Sequence, residues 1–205
     1  MTIYRELLIG CGSRREKDIQ RFYAMFSYAE KTTHSDTALA MLMRPWQALT
    51  TLDINPAHNP DILCDLRTVP FINACWNDCD QPPTLFADNY LDEIHAYEVL
   101  EHIGHQGYPE TFFAQFTEFH RILRPNGLLC ATCPSWLSMW AWGDPSHTRV
   151  ITSGSLVFLS QRQYQKQVGK TAMSDFRDIY TADFEPLFIH EDNNTLAFVL
   201  RAIKP

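Results

Sequence analysis

The stretch Glu6-Leu7-Leu8-Ile9-Gly10-Cys11-Gly12-Ser13-Arg14 constrains this chain more than any other. An apolar run that stops on Gly-x-Gly reads as a buried strand feeding a tight turn. Glycine reaches positive φ and has no Cβ, so backbone at such a turn can approach a ligand closely. At the carboxyl end of the first strand of an α/β sheet, that turn is where nucleotide-like ligands bind. Gly-x-Gly also occurs as a plain turn, so the test is whether the rest of the chain supplies the other walls of a pocket.

The pattern downstream alternates strands and helices. Residues 5–9 form the first strand. Residues 16–31 carry Ile19, Phe22, Tyr23 and Phe26 at helical spacing, and a second, shorter helix over 37–43 is ended by Pro45. Residues 49–53 read as a strand running into the Asn55-Pro56 turn, and 61–66 as a short third strand ending near Asp65. Residues 77–83 are loop by their Asp, Asn and Pro content, and 90–97 form a fourth strand. Pro109 opens a helix whose apolar face is Phe112, Phe113, Phe116, Phe119, Ile122 and Leu123. Pro125-Asn126-Gly127 breaks it and returns the chain to a fifth strand over 128–133. A helix over about 155–168 follows, then a hairpin of 184–189 and 196–203. This alternation predicts an α/β fold, a mostly parallel sheet with helices on both faces. The 205 residues suit one domain, with a helical insertion at about 14–48 and a substrate-side or lid segment at about 134–183.

Charge and cysteine content narrow the function classes. A formal net charge of −7 is a poor match to nucleic acid, whose binding rests on neutralising phosphates. Arg14, Arg15 and Lys17 make a local basic group that reads first as a solvated loop. No apolar run approaches the length that spans a bilayer, and no charged-then-apolar leader opens the sequence. Cys130-x-x-Cys133 lies inside an apolar strand, and Cys75 with Cys79 lacks a matching second pair. Reduced thiols in a cytoplasmic protein are the expectation, with no metal ligand among them.

Asp53 stands at the carboxyl end of the second strand, where a carboxylate can accept hydrogen bonds from both hydroxyls of a ribose held on the first turn. Its interval from the glycines exceeds the usual distance of about 20 residues, which the inserted helical material explains. Four segments stand in order: Leu7 to Ser13; Leu52 to Asn55; Asp61 to Phe71, with Val69-Pro70-Phe71 at its end; and Asp92 to His102, with Glu98-Val99-Leu100-Glu101-His102, followed by His120 to Gly127. Together they resemble the class I S-adenosylmethionine-dependent methyltransferases, over nearly the whole chain. The resemblance implies a Rossmann-like three-layer α/β/α domain with seven strands and an antiparallel C-terminal hairpin. It places Gly10, Cys11 and Gly12 under the methionine and ribose of the cofactor S-adenosyl-L-methionine. It gives the ribose hydroxyls to Asp53, the adenine to Ile54, Asp65 and Leu66, and the methionine side to Tyr97, Glu98 and Val99. The sequence departs from the family at Arg14, where a third glycine is usual, and at Leu8, where an acid is usual.

The sulfonium activates its own methyl group, so such a protein mainly positions the reactants, and a base is needed only for an acceptor with a proton to lose. His147 and His102 are the candidates, because histidine titrates near neutrality. Asp144 and Arg149 flank His147 and would orient it or hold an acidic substrate. The structural alternatives are a solvated loop for His147 and a packing role for His102. Trp136, Trp140 and Trp142 form an aromatic wall or simply pack. The reading is methyl transfer to a small-molecule acceptor, without nucleic acid or membrane. The alternative is a non-catalytic Rossmann-like nucleotide-binding or scaffold module. A nicotinamide dehydrogenase fits poorly, since the last glycine of its Gly-x-Gly-x-x-Gly turn would be Arg15.

Overall fold

A computed structural model describes residues 3–17, 35–67 and 86–205. The expected helix over 16–31, the loop over 77–83, the Val69-Pro70-Phe71 segment and the Cys75/Cys79 pair lie wholly or mainly outside those residues. Seven strands form one sheet: β1 (Glu6–Ile9), β2 (Leu49–Asp53), β3 (Ile62–Leu63), β4 (Leu91–Tyr97), β5 (Leu123–Pro134), β6 (Phe184–Glu191) and β7 (Thr195–Ala202). Their order is β3-β2-β1-β4-β5-β7-β6. The β1–β2, β1–β4, β2–β3 and β4–β5 pairs are parallel, while β7 runs antiparallel to both β5 and β6. The domain is the expected Rossmann-like α/β/α sandwich. Strand order reverses between β1 and β4, which opens a crevice at their carboxyl ends.

Five α-helices are described: α1 (Ser35–Leu42), α2 (Pro109–Ile122), α3 (Met139–Gly143), α4 (Ser153–Val157) and α5 (Gln161–Gln167). The phenylalanine stripe of α2 packs with Leu7, Ile9, Ile94 and Ala96 on one face of the sheet. On the other face Leu42 of α1 joins Leu128, Cys130 and Val199. Strand periodicity explains why Cys130 and Cys133 fall into different clusters: three residues apart, their side chains leave the sheet on opposite faces. The Cys-x-x-Cys pair therefore cannot share a metal ion.

Three elements differ from expectation. The third strand, read over 61–66, is only Ile62–Leu63, so Asp65 follows the strand instead of ending it. Leu123 is extended (φ −69°, ψ 145°) and begins β5 opposite Leu91, so the break residues sit within the strand, in a register irregularity between Leu91 and Glu93. Arg124, paired with Asp92 at 3.0 Å, ties that irregularity to β4. The single helix expected over 155–168 is two. Its middle is drawn to the sheet, where Phe184 N–H donates to the Leu159 carbonyl at 2.9 Å. Asp183 then accepts from Gln161 N–H at 2.8 Å, starting α5 afresh.

The side chain of Lys17, read as part of a solvated loop, is buried. Its ammonium lies 2.7 Å from Glu93 and 4.0 Å from Glu6. Glu93 also receives Tyr4 Oη–H at 2.7 Å, and His95 Nε2 lies 2.8 Å away. Burial opposes the Glu93 charge, but His95 and Lys17 outweigh it and hold the carboxyl down at about 2. A depressed folded-state value contributes stability above the ordinary carboxylate range and loses it as pH falls toward the folded value. Glu93→Gln should cost about 3–5 kcal/mol at neutral pH by leaving a buried cation without its close partner. Urea unfolding of both proteins should show that gap closing as pH falls from about 4.5 toward 2.

Candidate functional site

The crevice at the switch point is a cavity of about 570 Å³, within the range of small-molecule sites. Its walls come from the ends of β1, β2 and β4, the residues following β3, and the 145–148 loop. Gly10 and Gly12 form the floor, with φ of +62° and +53°. The Gly10 N–H donates to the Leu52 carbonyl at 2.7 Å, and the Gly12 N–H to Asp53 Oδ2 at 2.8 Å. A Cβ at Gly10 would stand 2.2 Å from Val99 Cγ2, whereas one at Gly12 would meet nothing within 4 Å. Gly10 is thus required by space and conformation, Gly12 by conformation alone.

Asp53 is buried at the end of β2. Its Oδ1 accepts from Asn55 N–H at 2.8 Å, and His58 Nδ1 lies 3.1 Å from Oδ2. Burial works against its charge, yet the Asn55 and Gly12 N–H groups and His58 hold the carboxyl below its usual range. Asp65 forms a paired contact with the Arg67 guanidinium at 2.7–2.8 Å, which lowers it likewise. Ile54, half exposed, and Leu66 add apolar surface to the same wall. Glu98 and Val99 close the β4 side. Glu98 has φ of +55°, a strained conformation for a residue with a Cβ, of the kind that concentrates at ligand sites.

Of the expected cofactor residues, Gly10, Gly12, Asp53, Ile54, Asp65, Leu66, Glu98 and Val99 share this cavity. Cys11 and Tyr97 do not line it. Cys11 is buried with Sγ 3.8 Å from Asp53 Oδ2. Strand alternation turns Tyr97 to the same face as His95, whose Nδ1 lies 2.7 Å from the phenol oxygen. Leu8 is buried within β1, and Arg14 is exposed and outside the wall.

The two candidate proton acceptors are placed differently from each other. His102 lines the cavity, but His147 turns inward with its side chain 8% exposed. Asp144 is exposed; its Oδ1 accepts from Ser146 N–H and Oγ–H, which shapes the loop, and its Oδ2 lies 3.8 Å from Nε2 of His147, the ring it was expected to orient. Arg149 is buried and donates to the His105 and Tyr108 carbonyls, which commits it to holding that loop rather than a substrate. Trp136, Trp140 and Trp142 are exposed, neither packed in the core nor on the cavity wall. His102 and His147 meet edge to face at 4.7 Å between ring centroids. Between them stands Glu101, whose Oε1 is 4.0 Å from each Nε2. Burial, with the nearby Glu98 charge adding to it, pushes the Glu101 carboxyl up to about 8. Among the described residues this trio is the one set arranged to hold a metal ion.

Sequence reading missed Glu101 and His58. Glu101 sits beside the singled-out Glu98 and His102, but only the fold shows that the 3-10 turn Leu100–His102 points it inward. His58 is placed by another such turn, Pro56–His58, capped by the Asn55 side chain on Ala57 N–H.

No family model matches the sequence, and no curated protein matches it. Solved structures do. A SAM-dependent methyltransferase from Archaeoglobus fulgidus is 14% identical, with a TM-score of 0.47 over 97% of this chain and 86% of that one. The 1,6-didemethyltoxoflavin-N1-methyltransferase of Burkholderia thailandensis, solved with S-adenosylhomocysteine, is 12% identical with a TM-score of 0.47, over 98% and 71% of the two chains. The [4+2]-cyclase SpnF is 13% identical with a TM-score of 0.48, over 98% and 75%.

Gly10→Ala should lower thermal stability sharply, because the new methyl collides with Val99. Gly12→Ala should cost only the left-handed backbone strain of about 1–2 kcal/mol. Adding Val99→Ala should restore part of the Gly10→Ala loss while leaving the Gly12→Ala loss unchanged, as read by denaturant unfolding.

Proposed function

We propose that the chain binds S-adenosylmethionine and transfers its methyl group to a small-molecule acceptor. The observation that carries this reading is the cavity at the β1/β4 switch point, floored by the glycine turn and walled by Asp53, Asp65 and Glu98. In this reading Gly10 to Gly12 run beneath the ribose and methionine, Cys11 contributing backbone alone. Asp53, already oriented by the Gly12 and Asn55 N–H groups, keeps lone pairs for the ribose hydroxyls. Ile54 and Leu66 cover the adenine and Asp65 meets its amino group. Glu98 and Val99 flank the methionine.

Carboxylates on both sides of the cavity, Asp53 and Asp65 on one and Glu98 on the other, suit a ligand that carries a sulfonium and an ammonium. The cofactor supplies an activated methyl group when bound. The chain's own part is to hold it at a fixed angle to the acceptor and to exclude water. Pro145, Ser146, Thr148 and His102 form the wall left for the acceptor, so the 134–183 segment supplies the specificity. The described cysteines Cys11, Cys64, Cys130 and Cys133 are buried thiols outside any disulfide, which supports a reducing compartment such as the cytoplasm. No described helix is long and apolar enough to cross a membrane.

Calorimetry with S-adenosylmethionine, S-adenosylhomocysteine and NAD tests the reading. The first two should bind at micromolar concentration and NAD should not. Asp53→Asn should weaken both by roughly 10–100-fold, the loss of charge-assisted hydrogen bonds worth about 1.5–3 kcal/mol. A folded protein that binds neither sulfur compound at millimolar concentration would sink the proposal. Binding without methyl transfer to any acceptor would favour the scaffold module instead.

A further inference from the structure

The Glu101–His102–His147 corner has a feature that hydrogen bonding does not explain. Each imidazole presents Nδ1 to a backbone carbonyl: His102 to Ser146 at 3.0 Å and His147 to Trp140 at 2.9 Å. A carbonyl only accepts, so each Nδ1 carries the hydrogen and each neutral ring keeps its lone pair on Nε2. Both Nε2 atoms then face Oε1 of Glu101, each at 4.0 Å, and that of His147 also lies 3.8 Å from Oδ2 of the exposed Asp144. Glu101 is 2% exposed, and neither of its carboxylate oxygens has a hydrogen-bond partner. The Cys133 thiol lies against it, and Glu98 adds a second negative charge nearby. Two imidazole nitrogens and a buried carboxyl group thus converge on one point, with the Cys133 thiol against the carboxyl. A proton on the carboxyl relieves part of the cost of that arrangement, and a cation held between the carboxylate and the two ring nitrogens relieves it fully.

We propose that Glu101, His102 and His147 bind one divalent cation of the zinc class at the edge of the cavity. The donor set, two imidazole nitrogens and one carboxylate oxygen, is the kind zinc favours when it keeps a position open. The two Nδ1–H···O=C bonds are the outer contacts that fix tautomer and ring orientation in metal-binding histidines. The candidate ligand atoms all lie within 4.8 Å of one another. Tetrahedral bonds of about 2.0–2.2 Å require separations of about 3.4 Å, so side-chain rotations closing the trio by about 1 Å complete the site. His102 belongs both to the trio and to the cavity wall, so the ion sits where a cavity ligand can reach it. In this assignment the two histidines are ligands rather than proton acceptors. The site stands whether or not methyl transfer is the reaction.

The test uses the full-length protein stripped with chelator and titrated with Zn2+ by calorimetry, with Co2+ as an optical probe. One equivalent of Zn2+ should bind, and Co2+ should give the d–d absorption of a low-coordinate nitrogen and oxygen site without thiolate charge-transfer bands. His102→Ala, half exposed and so tolerated by the fold, should weaken binding by about 100-fold or more, with His147→Ala matching it. Circular dichroism establishes that each variant is folded. A Cys75→Ser/Cys79→Ser variant should keep the ion. Binding lost in the cysteine variant but retained in the histidine variants would overturn the assignment, as would the absence of stoichiometric Zn2+ binding by the folded wild-type protein.

Discussion

The hydrogen bond from Gly12 N–H to the Asp53 carboxylate is the contact on which the site depends. It joins the turn after β1 to the end of β2, and Asn55 N–H fixes the other oxygen of the same carboxylate. The glycine turn is thereby held open above the sheet instead of collapsing onto β4, where Val99 leaves no room for a Cβ at Gly10. Arg15 extends the same tie by donating to the Asn59 carbonyl at 2.6 Å. A single carboxylate thus does structural work for the floor of the cavity and forms part of its wall.

The two faces of the sheet solve the problem of buried charge in different ways. Toward α1, Glu93 is surrounded by donors: Lys17, Tyr4 and His95. That network is satisfied within the protein and lies away from the cavity. On the cavity side, Glu101 is equally buried but faces two imidazole nitrogens at 4.0 Å, with only the Cys133 thiol against it among the described side chains. A satisfied network stabilises the fold, whereas an unsatisfied one marks a place where something else completes the structure. The contrast separates a structural carboxylate from a candidate ligand within one short stretch of chain.

Much of the fold was legible because it follows from periodicity and punctuation. The run ending at Gly10, the β2 segment ending at Asp53, the phenylalanine stripe of α2 and the terminal hairpin all appear within a residue or two of expectation. Errors fell where a distant partner overrides local preference. The Leu159 carbonyl receives Phe184 N–H and splits a helix in two. Leu123 pairs with Leu91 and pulls the β5 start back past a proline and a glycine. Lys17, a basic residue in a polar stretch, is drawn inside by Glu93 on a strand far along the chain.

The site divides in the same way. The sequence by itself determined the glycine turn, the acids at the end of β2 and just after β3 and the Glu98-Val99 edge of β4, because strand ends and turn residues are local properties. Tertiary structure decided which way side chains face. It turned Tyr97 to the far face, committed Arg149 to holding its loop, and left the tryptophans exposed. It also brought His147 against Glu101 and His102, which are more than forty residues away in the chain. Orientation and long-range juxtaposition depend on how the sheet, the 3-10 turn and the 145–148 loop pack together, and no local pattern of residues encodes them.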